Sequence, residues 1–391
     1  MHINWPSGIN ETSFLQDYWQ KRPLLIRQAF KDLPEIISPQ ELAGMALEPE
    51  IESRVISNFQ SPMNWQLSTG PFEEAFFSQL PEDHWTPLVQ DVDKYIPEAK
   101  NFLKQFNFVP SWRVDDLMVS YAVDQGSVGP HTDSYDVFLI QLQGNRLWQI
   151  SDENYSKDDL LPDSEVKVLC NFKHQHEWLL TPGDMLYLPP DIAHWGIAQG
   201  DCLTGSVGFL APSANEIFSA WSDHVLQATS DSERFSDSDL SDRVSPCEIS
   251  ASDISKAEKI IARLIKENPD SMRRSFGELI SQSKSHLEII PGAENNHPEQ
   301  HPKQGVSYCH HPYLRMFYTV DENNAVLLFA NGETLQLDAG EKAYAQYLCE
   351  NDQFDFDDLQ QWMDNEKNKS CFTMLLGAGC LEILEKTDEN S

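Results

Sequence analysis

The sequence predicts an α+β protein in three parts, and three observations lead there. Residues 118–196 alternate short β-rich runs with Gly and Pro turns, the pattern of a small antiparallel barrel. From about Ala211 the spacing turns helical, with apolar residues at Ile217, Phe218, Trp221, Val225 and Leu226. Past a stretch rich in Pro, Asn, Gln and His at 287–305, strands joined at Asn331-Gly332 precede three short helices, a winged-helix-like order. The expected parts are therefore 1–211, 212–286 and 306–391.

The N-terminal part opens with a helix over Glu11–Lys21, capped by Asn10 and ended by Pro23, and a short strand at Leu24-Leu25-Ile26. Ser38-Pro39 starts a second helix, because serine caps and proline suits the first helical position. Strands come next at 52–56 and 65–68, then helices around 72–80 and 89–106, and residues 112–121 lead into the barrel. Within it Val137–Leu142 is β-rich, Gly144-Asn145 reads as a hairpin turn, and Arg146–Ile150 is the returning strand. Pro182-Gly183-Asp184 is a turn, Met185–Leu188 a strand, and Pro189-Pro190 its stop.

The chemistry gathers at strand ends. His131 and Asp133 alternate, so an extended segment aims both side chains at one point, and His194 returns on a later strand. Two histidines and one carboxylate on one face are the facial set of non-haem Fe(II) oxygenases, with open positions left on the metal. The plainer alternative has both histidines at turn ends facing solvent and Asp133 capping a turn. Arg146, Trp148 and Ile150 share a face by the period of two. A guanidinium turned inward needs an anion, whereas one turned outward pairs with a surface acid. His174 and His176 sit among polar residues and read as an exposed loop or edge strand, and His310-His311 beside Pro312 as a turn.

Composition narrows the partners. The 28 basic and 62 acidic residues give a net charge of −34, which repels phosphate backbones and argues against direct nucleic-acid binding. Such a surface attracts a basic protein, or simply keeps the chain dissolved. No apolar run is long enough for a membrane span, the N-terminus lacks the look of a secretion signal, and a cytoplasmic location is expected. The seven cysteines form no C-x-x-C pair, so reduced and mostly buried thiols are expected. Helices at 254–266 and 272–285 carry apolar stripes without a full core of their own, which points to packing against a second copy. The acidic run at 229–246 reads as a solvated connector.

The order His131-Thr132-Asp133, then Asn145-Arg146-Leu147-Trp148, then PGDMLYLPPDIAHWG at 182–196 resembles the JmjC-type cupins, the double-stranded β-helix of the 2-oxoglutarate oxygenases. The segment Tyr18–Ile26 is similar to the leading segment of the same branch. Together with the helical and C-terminal parts beyond the barrel, nearly the whole chain resembles the bacterial ribosomal-protein arginine hydroxylases, or ribosomal oxygenases. That resemblance implies Fe(II) on His131, Asp133 and His194, and O2 as oxidant. It implies 2-oxoglutarate with its distal carboxylate on Arg146 and the Ser120 hydroxyl helping to hold it. It also implies a homodimer through residues 212–286, and hydroxylation of an arginine β-carbon on protein sixteen of the large ribosomal subunit. Related branches hydroxylate histidines or demethylate methyl-lysine on the same scaffold. Outside enzymes, a non-catalytic cupin that binds a basic protein remains the competing class.

Overall fold

The computed structural model describes residues 2–58, 64–229, 234–238, 245, 247–292, 297–300 and 302–384. The chain divides into two compact units, Met1–Ala211 and Pro212–Ser391. No helix among the described residues is long and apolar enough to cross a membrane.

The first unit begins with helix α1 (Glu11–Asp17), where Asn10 and Ser13 cap each other, and strand β1 (Leu24–Ile26). Helix α2 (Pro39–Met45) carries a Ser38–Glu41 capping box with Pro39 in its first turn. Strands β2 (Ser53–Ser57) and β3 (Gln66–Thr69), helix α3 (Glu74–Ser78) and strand β4 (Trp85–Val89) come after it. The single helix expected over 89–106 is instead two short ones, α4 (Val92–Tyr95) and α5 (Pro97–Leu103). Pro97 is the cause: it holds Ile96 extended, and a proline opens a helix more readily than it continues one. Strand β4 had no strand signature because Pro87 interrupts it. Strand β5 (Val114–Ala122) pairs with this strand only at Leu88 and Val89, beyond that proline.

Strands β6 (Val137–Ile150), β7 (His176–Leu180), β8 (Met185–Leu188) and β9 (His194–Phe209) complete the barrel. The strand order is β1-β8-β6-β9-β5-β4-β2-β3, with β7 also on β6. The hairpin expected at Gly144-Asn145 does not form. Strand β6 runs straight through as one 14-residue strand, pairing β8 with its first half and β7 with its second. Gly144, at φ +64°, sits where the register against β9 slips, and a Cβ there would lie 2.2 Å from the Asp201 carbonyl oxygen. It is a bulge that bends one strand between two sheet regions. Alternation along β6 then builds two cores. Phe138 and Ile140 pack outward with Phe14, Phe106, Tyr187 and Phe209, while Val137, Leu139, Trp148 and Ile150 join Leu180, Leu186 and Leu188.

The second unit starts with helices α6 (Ala214–Ala228), α7 (Ala251–Glu267) and α8 (Pro269–Ser281). Strands β10 (Ser307–His310), β11 (Met316–Val320), β12 (Val326–Ala330) and β13 (Glu333–Leu337) come next. Helix α9 (Lys342–Glu350), strand β14 (Gln353–Asp355), helices α10 (Phe356–Gln360) and α11 (Glu366–Gly377), and strand β15 (Leu381–Leu384) end it. Asn331 and Gly332 both have positive φ and close the β12–β13 hairpin, as the dipeptide implied. Residues 287–305 do not separate two units. Helix α8 lies on the β11–β13 sheet so closely that a Cβ on Gly277 would meet the Phe329 ring at 2.3 Å, and Leu287 is buried. Most of the acidic run at 229–246 lies outside the described residues. The seven cysteines are free thiols: three buried, three half-buried and one exposed.

Candidate metal centre

A backbone bridge builds the site. His131 and His194 exchange both antiparallel hydrogen bonds, N–H to carbonyl at 3.0 and 2.9 Å, so their side chains leave the same face and the rings lie 4.3 Å apart. Asp133, two residues on, aims its carboxylate between them, with Oδ2 3.8 Å from His131 Nε2 and 3.7 Å from His194 Nε2. A backbone bond from Asp191 to the Asp133 carbonyl, 2.7 Å, fixes the segment from the other side. Each ring's Nδ1 is 2.9 Å from a carbonyl oxygen, that of Gly129 for His131 and of Ile192 for His194. A carbonyl accepts only, so Nδ1 holds the proton and Nε2 turns its lone pair inward. Burial, reinforced by the neighbouring His131, pushes the His194 imidazole down to about 4, which keeps it neutral and ready to ligate. The three donor atoms lie within 4.8 Å of one another, and this donor set fits a divalent metal of the non-haem iron type.

One indole away lies a buried cation. Trp148 lies 5.8 Å from the His194 ring, and the Arg146 guanidinium lies 5.6 Å from the same indole. A Cβ on Gly196 would strike that ring at 2.7 Å, so only glycine lets it pack there. Arg146 is 4% exposed and points inward. Its Nη1 donates to the Ser120 and Thr204 hydroxyls, both at 3.1 Å, and its Nε has no partner. No carboxylate pairs with it among the described residues, and burial lowers its affinity for the proton. A cation held this way, by neutral hydroxyls with one donor left over, fits a ligand carboxylate. Thr204 was missed at the level of sequence. It joins Ser120 only through the β5–β9 register, and a lone threonine carries no mark of that pairing.

Next to the ligand pair, Tyr135 and Asp136 part company. Tyr135 is partly exposed, and burial of its hydroxyl followed by the charges of Asp133 and Asp116 raises its pKa. Asp136 is fully buried. It accepts from Tyr187 Oη at 2.6 Å, Gln20 Nε2 at 3.0 Å and Arg113 Nη2 at 3.1 Å, tying three distant segments together. Replacing Asp136 with alanine strands the half-buried Arg113 guanidinium and the buried Tyr187 hydroxyl, and a loss of about 3 kcal/mol is expected in chemical denaturation. His174 and His176 flank the start of edge strand β7, paired with Glu177 at 3.6 Å and Asp152 at 3.0 Å, and stay outside the centre. His310 ends strand β10 rather than forming a turn, and His311 Nδ1 accepts from the Tyr313 N–H.

Comparison with known proteins agrees with this architecture. A JmjC domain model matches residues 101–217, and a ROXA-like winged helix model matches residues 263–382. The ribosomal protein uL16 3-hydroxylase of Escherichia coli is 35% identical over 336 residues, 85% of this chain and 86% of that protein. A probable ribosomal oxygenase of Haemophilus influenzae is 29% identical over 96% of this chain and 95% of its own. Among solved structures, E. coli ycfD superposes with a TM-score of 0.86 at 32% identity, covering 98% of this chain and 100% of that one. The same E. coli protein solved with cobalt and 2-oxoglutarate gives a TM-score of 0.83 at 31% identity, over 98% of this chain and 99% of that one. With that likeness carried across both units, this chain belongs to the JmjC-domain ribosomal oxygenases.

Proposed function

We propose that the chain is an Fe(II)- and 2-oxoglutarate-dependent oxygenase that hydroxylates an arginine of ribosomal protein uL16 at its β-carbon. The observation that carries this reading is the pairing of the His131–Asp133–His194 set with the acid-free buried guanidinium of Arg146, one indole apart in the same barrel. Fe(II) with 2-oxoglutarate supplies the oxidising power to insert one atom of O2 into a C–H bond, with succinate and carbon dioxide as coproducts.

The chain's own part is to orient and to shield. His131 and His194 would offer their Nε2 lone pairs and Asp133 its carboxylate, each held by backbone bonds made before any metal arrives. Arg146 would hold the far carboxylate of 2-oxoglutarate, with the Ser120 and Thr204 hydroxyls steering the guanidinium. The apolar side chains of Val137, Leu139, Leu180, Leu186 and Leu188 keep water from the interior. The net charge of −34 draws in a basic ribosomal protein. The 3-hydroxylase activity named for the E. coli relative supports the β-carbon and uL16 as target.

The test is mass spectrometry of uL16 incubated with the chain, Fe(II), 2-oxoglutarate and ascorbate, beside a His131→Ala control. One added oxygen on an arginine, absent from the control, is the expected result. Oxygen on a histidine replaces the target residue, and no turnover of 2-oxoglutarate at all moves the chain to the binding-module class.

Dimerisation belongs to the same reading. Helix α7 has no buried residue, and Ile254, Ile261 and Ile265 on it are each more than half exposed. Its flanks carry Lys256, Lys259, Arg263 and Lys266 against Asp253, Glu258 and Glu267, in a chain of net charge −34. Two copies would therefore repel little at this helix, and a second copy would bury its isoleucines. Sedimentation is expected to give twice the 44.6 kDa of one chain, and Ile261→Glu with Ile265→Glu to give 44.6 kDa.

A further inference from the structure

The strand ladder places a second cation on the inner face. Arg54 on β2 stands opposite Leu88 on β4, Leu88 opposite Ser120 on β5, and Ser120 opposite Thr204 on β9. Directly paired residues point to the same side of a sheet, so Arg54 shares the face on which Ser120 and Thr204 meet Arg146. Its charge acts on Tyr135, which stands two residues after Asp133. Arg54 is half-buried, yet in a chain with 62 acidic residues it makes no ion pair with any described residue, and its buried Nε has no hydrogen-bond partner.

A partly desolvated donor group in this position calls for acceptor oxygens brought by a ligand that also reaches the metal centre. The cosubstrate is already provided for by Arg146. A basic target side chain carries no acceptor and would be repelled by Arg54, so its cationic head does not satisfy this donor. What a polypeptide substrate offers on the Arg54 side is its main-chain carbonyls. We propose that Arg54 is a substrate-binding residue whose guanidinium donates to a main-chain carbonyl of the substrate polypeptide beside the target residue, fixing which way the target side chain enters. This rests on the protein-hydroxylase reading above.

Arg54→Met and Arg54→Lys, assayed with a uL16 peptide, test it. Losing a charge-assisted bond is expected to raise the peptide KM by about 10- to 100-fold in Arg54→Met, with the KM for 2-oxoglutarate unchanged. Arg54→Lys keeps a charged donor and recovers part of the loss. A peptide series with single thioamides, which accept hydrogen bonds poorly, should contain one position that weakens the wild type and leaves Arg54→Met unaffected. An unchanged peptide KM, an equal rise in the KM for 2-oxoglutarate, or equal thioamide effects in both proteins overturns the proposal. Hydroxylation by the wild type with an unaffected variant removes this inference alone, whereas a wild type that leaves the peptide unmodified removes the function reading with it.

Discussion

Asp133→Ala is expected to abolish metal-dependent turnover while leaving the metal-free fold intact. The carboxylate sits between two imidazoles that are already held from behind by the Gly129 and Ile192 carbonyls, so removing it does not release either ring. What disappears is the anionic member of the donor set. Loss of a residue that only supports a ligand costs roughly 10- to 100-fold in metal affinity, and loss of the ligand itself should exceed that. Two measurements separate this from unfolding. Metal retained after dialysis should fall to background, and 2-oxoglutarate consumption with it. Wild-type unfolding should shift upward on adding Fe(II) or a redox-inert stand-in, by about 2.7 kcal/mol at a hundredfold excess over Kd, and the variant should show no shift. The denaturation midpoint of the metal-free variant should match the wild type. A variant that still binds metal and still consumes 2-oxoglutarate would mean that the ligands lie elsewhere.

Arg146→Met has the second large effect, and it should come with a stability change of the opposite sign. Without a ligand, Arg146 is a buried charge with neutral partners and an idle Nε. Replacing such a group with an apolar side chain of similar length is commonly neutral or stabilising by about 1–4 kcal/mol. Binding goes the other way. Two charge-assisted hydrogen bonds to a carboxylate, each worth about 1.5–3 kcal/mol, correspond to a rise in the KM for 2-oxoglutarate of at least about a hundredfold. The expected protein is therefore as stable as the wild type or more so, nearly inactive at ordinary cosubstrate levels, and no longer stabilised by 2-oxoglutarate in thermal unfolding. Arg146→Lys should fall between, since it keeps the charge and loses the planar fork. A destabilised variant with an unchanged KM would make Arg146 a structural residue of the barrel.

Much of this was legible because it is local. The His-x-Asp alternation, the capping residues Asn10 and Ser38 and the Asn331-Gly332 turn each act within a few residues, and each stands where its spacing put it. Errors arose where one local signal had two uses. Gly144-Asn145 is hairpin chemistry in isolation, yet the backbone of Asp201 approaches too closely for any residue but glycine, and the strand continues. The role of Asp136 left no local mark, because its partners Gln20, Arg113 and Tyr187 lie 23 to 116 residues away in sequence.

By itself, then, the sequence determined the ligand types, their alternation on one strand and the order of barrel, helices and winged-helix-like end. Tertiary structure alone decided that His194 faces His131 and that Arg146 turns inward onto Ser120 and Thr204. It also decided that Arg54 shares their face, and that α8 belongs with the C-terminal sheet. The division has one physical cause. Periodicity and capping are properties of neighbouring residues, whereas facing and burial depend on strand register, and register is set by long-range pairing that no short stretch of sequence contains.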